Sequence, residues 1–409
     1  MPLFQEQLMQ MAIDVAGFTP AEADLLRQAM GSKRSKQRMA RMRERLMTGM
    51  AERGITGEAA EDIARKLEAF ASFGFPESHS VSFAYIVYAS AWLKYHHPAE
   101  FACALLNAQP MGFYSPHTLV RDARRHGVEV LGPCALASRR DCTLEPRTEA
   151  AGPQGFPKRG WHAEPSVHAV RTGLRYVRGL SSDLLDRIDA ERAAAPFRDL
   201  EDFARRTEAP VDALESLATA DAFACFGHDR RAALWSAGAL HAVRPTRHGG
   251  VREDRLPGVV PGLEAPPLPG LEPAEEVAAD LWATGMSPGR HPTEFVRPAL
   301  ESRGVVTTGA LRDLPHGAVV EVAGLVTHRQ APGTAGGVVF LNLEDEDGLV
   351  NVICTPAVWR RFRRIARAAP AVCVRGVLER RHGVINLLAQ RVEELVVPLG
   401  GRGRSRDFR

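Results

Sequence analysis

The sequence predicts a multidomain α+β protein, and three changes of pattern along the chain support this class. Residues 1–108 space apolar side chains at intervals of three and four, which is typical of helices. Two helix-turn-helix pairs follow within 174–243, and from residue 317 apolar and polar side chains alternate as in strands. Because 409 residues exceed one ordinary hydrophobic core, we expect several domains.

The first 108 residues are expected to form successive amphipathic helices. The helix over "FQEQLMQMAIDVAGF" should break at Gly17, and Thr19 is the expected N-cap of the next helix, which ends near Gly31. The stretch "HSVSFAYIVYASAWLKYHH" is apolar on nearly all sides, so it is expected to be a buried helix.

Two turns that open helices stand in the middle of the chain. Gly179 and Ser181 precede the first helix, and Gly227 precedes Arg230 and Arg231 in the second. A hydrophobic-x-Gly-x-Gly turn before a helix exposes backbone N–H groups and the positive helix end, which together hold a phosphate without reading a base. Ser181 replaces the second glycine, so the alternative that Ser181 is an ordinary N-cap stays open.

The alternating region predicts five strands with one helix after the third. The strands are "AVVEVAGLVTHRQ", "GVVFLNLEDEDG", "LVNVICT", "AVCVRGVLERRHG" and "VINLLAQRVEEL", and the helix is "PAVWRRFRRIARAA". This is the layout of an OB-fold β-barrel, whose strand face and loops commonly bind oligonucleotides. Arg329, Arg381 and His382 are the expected contacts to single-stranded nucleic acid, chiefly electrostatic because few aromatic residues lie there. The acids of "LEDEDG" stand at a hairpin tip and are expected to be solvated.

Charge and cysteine usage limit the class of protein. The net charge is only +3, but the stretch "KRSKQRMARMRER" and the tail "GRGRSRDFR" are strongly basic. These local basic patches, rather than the total charge, indicate a polyanionic partner. A solvated helix face explains either stretch equally well. The six cysteines form no CxxC pair, so neither a zinc module nor a disulfide framework is expected. Without a signal peptide or a membrane-length apolar run, we expect a cytoplasmic location and no membrane partner.

Few residues suggest chemistry. Arg27 precedes Lys33 and Arg34 by about two helical turns, and such a set can bind a triphosphate, although spacing alone favours an exposed basic helix end. His79 stands between two serines, where a hydrogen-bonded structural histidine is the commoner finding. A phosphoryl-transfer site needs carboxylates for two metals, and no strand carries such a pair. We therefore predict no catalytic and no metal-binding residue in the chain.

Several long segments carry a resemblance to a known family. They are "FQEQLMQMAIDVAGFTPAEADLLRQAMG", "FASFGFPESHSVSFAYIVYASAWLKYHHPAEFACALLNAQPMGFY" and "GLRYVRGLSSDLL". With them the chain resembles the C-terminal part of bacterial C-family DNA polymerases of the polymerase III alpha type. "ATGMSPGRHP" and "GRSRDFR" look like the error-prone, damage-induced ImuC branch. The resemblance covers nearly all of residues 1–409.

The resemblance implies an order of domains. They are partial helical fingers (1–108), a connecting region with a Gly/Pro-rich loop (109–165), a tandem helix-hairpin-helix domain (166–243), a linker (244–275), a connecting segment (276–316), the OB-fold (317–397) and a basic tail (398–409). Family members place a PHP domain and a palm with catalytic aspartates ahead of the fingers. The chain by itself is therefore expected not to polymerise, and its start is expected to be a truncation, a late annotated start or a cut gene.

The resemblance also implies roles. It suggests part of an error-prone polymerase for translesion synthesis and DNA repair, with primer-template DNA and a deoxynucleoside triphosphate as partners. Arg27, Lys33, Arg34 and His79 would line the nucleotide side, and Gly179, Ser181, Gly227, Arg230 and Arg231 would hold duplex backbone. Mg²⁺ would serve the intact polymerase, with none expected on this chain. ImuA-like and ImuB-like mutasome proteins are implied partners, with the sliding clamp contacted indirectly.

Some positions depart from the family pattern. Gln28 stands where a second arginine is usual, and Glu77 stands where lysine is common. Ser181 and Asp221 occupy positions where the hairpins usually have glycine, and an acid there would repel phosphate. These departures also fit a decaying gene copy. The alternative function is a non-catalytic DNA-binding or mutasome-docking module.

Overall fold

The structure is a computed structural model and describes residues 5–30, 35–73, 76–112, 114–147, 166–242, 263–332, 335–381, 383–397 and 406–408. The chain divides into two compact units, Met1–Leu93 and Lys94–Arg409. The described part of the first unit contains helices, and the second unit contains helices and two β-sheets. The predicted multidomain α+β class is confirmed.

Helices account for the described part of the first unit. They are α1 (Gln5–Ala16), α2 (Pro20–Met30), α3 (Ser35–Glu52), α4 (Glu58–Phe73) and α5 (Pro76–His96), the last of which runs on into the second unit. Gly17 takes a left-handed φ of +66° and ends α1, as predicted. The Glu22 N–H donates to Thr19 Oγ1 at 3.2 Å, and the Thr19 N–H donates to Glu22 Oε2 at 2.7 Å. This reciprocal capping confirms Thr19 as the N-cap of α2.

The prediction of a buried helix at α5 is wrong. Tyr85 and Tyr88 are 77% and 73% exposed, and Ile86 and Trp92 are also exposed. An apolar sequence on all sides of a helix favours burial, but it does not identify the surface that would cover the helix. No helix in the described ranges, α5 included, combines the length and hydrophobicity that crossing a membrane requires.

The second unit begins with two helices on a small sheet. The elements are α6 (Pro98–Asn107), α7 (Pro116–Arg125), β1 (Val130–Leu131), β2 (Thr143–Pro146) and β3 (His168–Arg171). The central strand β3 is parallel to β1 and antiparallel to β2. Leu106, Val120 and Val170 are buried together between the helices and the sheet. The end of β3 leads directly into the first of the two predicted hairpins.

Four helices form the middle of this unit: α8 (Ser182–Ala194), α9 (Leu200–Thr207), α10 (Val211–Thr219) and α11 (Arg230–Ala242). Phe203 lies at the centre of their core and meets Phe197 and Phe223 edge to face, at centroid distances of 4.9 and 5.4 Å. α12 (Pro273–Thr284) buries Ala283 in the same core, and α13 (Arg297–Glu301) follows it. The predicted linker therefore gives way to helix at Pro273.

The last part of the chain is a closed barrel with one helix. It contains β4 (Val319–Gln330), β5 (Val339–Glu344), β6 (Leu349–Cys354), α14 (Pro356–Ala368), β7 (Ala371–Arg381), β8 (Val384–Glu394) and β9 (Arg406–Phe408). The sheet order is β5-β6-β8-β7-β4-β9, and antiparallel pairing of β4 with β5 closes five strands into a barrel. Gly376 permits the closure at a β7–β8 bulge, because a Cβ there would lie 2.4 Å from the Leu388 carbonyl oxygen. The predicted OB-fold is confirmed.

Candidate nucleic-acid interface

The first hairpin is the turn from Val177 to Ser181, between the 3-10 helix Leu174–Tyr176 and α8. Val177 is buried and anchors the turn, whereas Gly179 is exposed and takes a φ of +79°. A left-handed φ favours glycine. Apart from the chain neighbours of Gly179, the described residues would place one heavy atom within 4 Å of a Cβ added there, Ser216 Oγ at 3.8 Å. The outer side of the turn is therefore accessible to a ligand.

Ser181 caps α8, which was the alternative that the sequence left open. Its Oγ accepts the Leu184 N–H at 3.2 Å. The N–H groups of Ser182 and Asp183 precede Leu184 in the first turn, where helix geometry provides no acceptor within the helix. They stand at the positive end of the helix dipole. The turn thus uses one donor for its own cap and keeps two that can face an anion.

Arg178 links the first hairpin to α12. Its N–H donates to the Ala283 carbonyl at 2.8 Å, and its guanidinium lies over the Trp282 ring, 4.9 Å from the centroid. Both side chains are exposed, Trp282 by 41%. A guanidinium stacked on an indole keeps its edge donors available for phosphate oxygens. Sequence reasoning missed this pair because no local pattern places α12 beside the hairpin.

The second hairpin connects α10 to α11. Gly227 has a φ of +82°, and Asp221 has a φ of +63° although it is not glycine. Burial raises the pKa of Asp221, and nearby Arg230 partly offsets this effect. The left-handed φ explains why glycine would suit position 221. The acid makes this hairpin less attractive to phosphate than the first.

Arg230 is engaged inside the protein rather than extended from the hairpin. Its Nη2 donates to Asp280 Oδ1 at 2.7 Å, its Nη1 donates to the Thr219 carbonyl at 2.9 Å, and its side chain is only 14% exposed. This geometry corrects the expectation of a free DNA-facing guanidinium. Arg231 is more exposed, although its Nη1 donates to the Pro269 carbonyl at 3.0 Å.

Arg329 likewise has a structural position, which corrects its predicted contact with single-stranded DNA. The residue is 8% exposed. Its Nε donates to the Ala366 carbonyl at 2.7 Å, and its Nη2 donates to the Ala369 carbonyl at 2.5 Å, so it caps the C-terminal end of α14. Arg381 is exposed at the end of β7, whereas His382 lies outside the described residues.

The predicted nucleotide-binding residues fall on or between α2 and α5. Arg27 and His79 belong to α2 and α5, but their side chains lie outside the described parts of the structure. Lys33 and Arg34 lie outside the described residues altogether. Within the described ranges no three His, Cys, Asp or Glu side chains gather as metal ligands would. The described residues therefore do not fit a Mg²⁺ site.

Two of the four acids at the β5–β6 turn are buried, so the prediction that these acids are solvated is wrong for Glu344 and Asp345, whereas Asp347 is exposed. Glu344 and Asp345 are both 0% exposed. Glu344 Oε2 accepts the Thr118 hydroxyl at 3.0 Å, and Glu344 Oε1 accepts Arg125 Nη2 at 3.2 Å. Both partners stand on α7, which covers the turn. Burial raises the pKa of Asp345 to about 6 although the Thr308 N–H donates to its carboxylate.

Two buried histidines lie beside this junction, His117 on α7 and His291 on the segment between α12 and α13. The rings of His117 and His291 are buried with centroids 5.8 Å apart. Burial, reinforced by Arg121 and Arg125, lowers the pKa of His117 to about 3. His117 is therefore neutral, and its Nδ1 accepts the Ser287 N–H at 3.3 Å. These contacts join α7 to the segment between α12 and α13.

Three family models match separate parts of the chain. The bacterial DNA polymerase III alpha subunit finger domain matches residues 1–54, the helix-hairpin-helix motif matches 127–233, and the OB-fold nucleic acid binding domain matches 320–395. The matches follow the order that the sequence predicts. The second contains both hairpins, and the third contains most of the barrel.

Relatives match over the full chain. An error-prone DNA polymerase of Mycolicibacterium paratuberculosis is 52% identical over 100% of this chain and 35% of its own length. Those of Nocardia farcinica and an Anaeromyxobacter species are 51% and 47% identical, again over 100% of this chain and 34% of their own lengths. The chain thus spans about a third of the length of these relatives.

Proposed function

We propose that this chain binds the phosphate backbone of DNA during translesion synthesis in the cytoplasm. The premise is that the chain resembles the finger, helix-hairpin-helix and OB-fold part of bacterial error-prone DNA polymerases. The relatives are error-prone DNA polymerases, and two of the three matched domains bind nucleic acids in other proteins. Contacts to phosphates alone would suit an enzyme that must work on any sequence.

The geometry of the first hairpin carries this proposal. Gly179 brings the backbone to the surface, α8 supplies the N–H groups of Ser182 and Asp183 at its first turn, and Arg178 adds a stacked guanidinium. Backbone donors and a guanidinium fork bind phosphate oxygens without distinguishing bases. We assign duplex backbone to this hairpin first and to the Gly227 and Arg231 region second.

The remaining assignments rest on the resemblance. Arg27, Lys33, Arg34 and His79 would face the incoming nucleotide, and Arg381 with His382 would meet single-stranded template. ImuA-like and ImuB-like proteins would dock on the whole enzyme, which would use Mg²⁺ to add deoxynucleotides. We expect this chain alone not to extend a primer, because none of the matched domains is the palm that carries the family's catalytic aspartates. Primer extension by the purified chain above a mock preparation would contradict this.

DNA binding can be tested with a labelled primer-template and fluorescence anisotropy over a series of salt concentrations. We expect log Kd to depend steeply on log salt, and two unrelated sequences to bind with similar affinity. Arg178→Gln should reduce the magnitude of the slope by about 0.9, the share of one phosphate contact. Arg187→Gln is the matched control, because the Arg187 guanidinium already donates to the Thr207 carbonyl and Glu208. A wild-type slope near zero would refute the proposal.

A further inference from the structure

The helix of the barrel has two very different sides. α14 packs Trp359, Phe362 and Ile365 against the core of the barrel. Its arginines, in contrast, are all exposed: Arg360, Arg361, Arg363, Arg364 and Arg367. Neither the family match nor the proposed function assigns a role to this surface, which we call the arginine face.

The spacing of these arginines concentrates the charge. Successive residues of a helix are rotated by about 100°, so Arg360, Arg363, Arg364 and Arg367 fall within an arc of about 100°. Phe362 points to the opposite side, toward the core. From Arg360 to Arg367 the helix rises by about 10 Å. Four guanidinium groups therefore form one compact positive strip.

The strip has no acidic counterpart. The sequence of α14 contains neither Asp nor Glu, and among the described residues no carboxylate pairs with any of the five arginines. Elsewhere in the second unit arginines are commonly paired, as Arg230 is with Asp280 and Arg297 with Glu346. Like charges four residues apart repel each other on a helix, and here this applies to Arg360 with Arg364 and to Arg363 with Arg367. A polyanion would remove that repulsion.

We propose that the arginine face of α14 is a second DNA-binding surface, separate from the hairpins, and that it contacts the phosphate backbone. This inference rests on the proposed function, because it takes DNA as the available polyanion. A guanidinium group donates two parallel hydrogen bonds to phosphate oxygens and is weakly hydrated. Arginine therefore suits contacts to the phosphate backbone better than lysine does. Because α14 contacts β8 and β6 on one side and exposes its arginines on the other, the arginine face can meet a DNA strand that the hairpins do not hold.

The test compares three forms of the full chain in salt titrations with duplex and single-stranded DNA. One variant changes Arg360, Arg363, Arg364 and Arg367 to Gln, and a matched variant changes the same four residues to Lys. The Gln variant should lose about 3.6 from the magnitude of the slope with duplex and about 2.8 with single strands if all four contact phosphates. For each DNA, the measured loss of slope is divided by the expected loss. The DNA with the larger ratio, duplex or single-stranded, is the one bound at the arginine face. The Lys variant should keep most of the slope because it keeps the charge.

Several outcomes would overturn the inference. An unchanged slope in the Gln variant, or an equal loss in the Lys variant, would show that charge on this face does not bind DNA. If Arg178→Gln still lowers the slope while the Gln variant does not, the proposed function stands and only this inference fails. Thermal unfolding should be nearly unchanged, because the replaced side chains are exposed. The single variant Arg364→Gln, with an expected loss of about 0.9, provides a milder second measurement.

Discussion

Replacing Glu344 with Ala should weaken the junction between α7 and the barrel. The carboxylate is fully buried and accepts hydrogen bonds from Thr118 Oγ1 at 3.0 Å and from Arg125 Nη2 at 3.2 Å. Nε and Nη1 of Arg125 are buried and have no hydrogen-bond partner among the described residues, so Glu344 is the partner that matters for this guanidinium. The substitution would leave a buried charge and a buried hydroxyl uncompensated.

The size of the loss follows from these two contacts. Removing one partner of a buried ion pair costs about 3–5 kcal/mol, and leaving a buried hydroxyl without its acceptor costs about 1–3 kcal/mol. The two losses share one carboxylate and do not add fully. We therefore expect about 4 kcal/mol. The double variant Glu344→Ala with Arg125→Met should cost less than the sum of the single variants, because it leaves no buried charge unpaired.

Hydrogen exchange of the Asp345–Gly348 turn measures this loss locally, together with urea unfolding of the whole chain. The free energy above corresponds to exchange about a thousandfold faster when it proceeds through opening of the junction. Glu394→Ala, at an exposed position at the end of β8, is the control and should change stability by less than about 0.5 kcal/mol. A loss below about 1 kcal/mol for Glu344→Ala, or strict additivity in the double variant, would refute the reasoning.

Three further predictions address other sites. The folded protein keeps His117 neutral, with its pKa near 3, whereas the unfolded chain binds a proton below about 6.5, so stability is lost as the pH falls. His117→Asn, which keeps an acceptor for the Ser287 N–H, should remove about 1.6 kcal/mol of the loss between pH 6.5 and 5, and parallel pH curves would contradict this. Asp221→Gly should stabilise the hairpin by up to about 1 kcal/mol because φ is +63°, and a lower thermal midpoint would argue against this. A hydrogen bond with the Cys225 thiol is the chief cause of the lowered pKa of Cys134. Iodoacetamide at neutral pH should therefore alkylate Cys134 faster in the wild type than in Cys225→Ala, as measured by peptide mass spectrometry. Equal rates of alkylation would contradict this prediction.

Local features of the fold could be predicted from the sequence because they depend on neighbouring residues. The break at Gly17 and the cap at Thr19 follow from backbone preference and a short hydrogen bond. The five strands and the helix between the third and fourth follow from the period of the apolar residues. In the candidate interface, the turns at Gly179 and Gly227 could also be predicted, because a left-handed φ favours glycine.

Long-range contacts decided what each side chain does, and the sequence could not supply them. Glu344 lies 226 residues from Thr118, and only packing of α7 on the barrel turns a hairpin acid into a buried one. The sequence predicted an exposed cation at Arg329, but the end of α14 covers this residue. Arg178 stacks on Trp282 because α12 packs beside the hairpin. Burial and partner choice are properties of surfaces brought together by folding, so periodicity determined the elements while tertiary packing determined which arginines remain exposed.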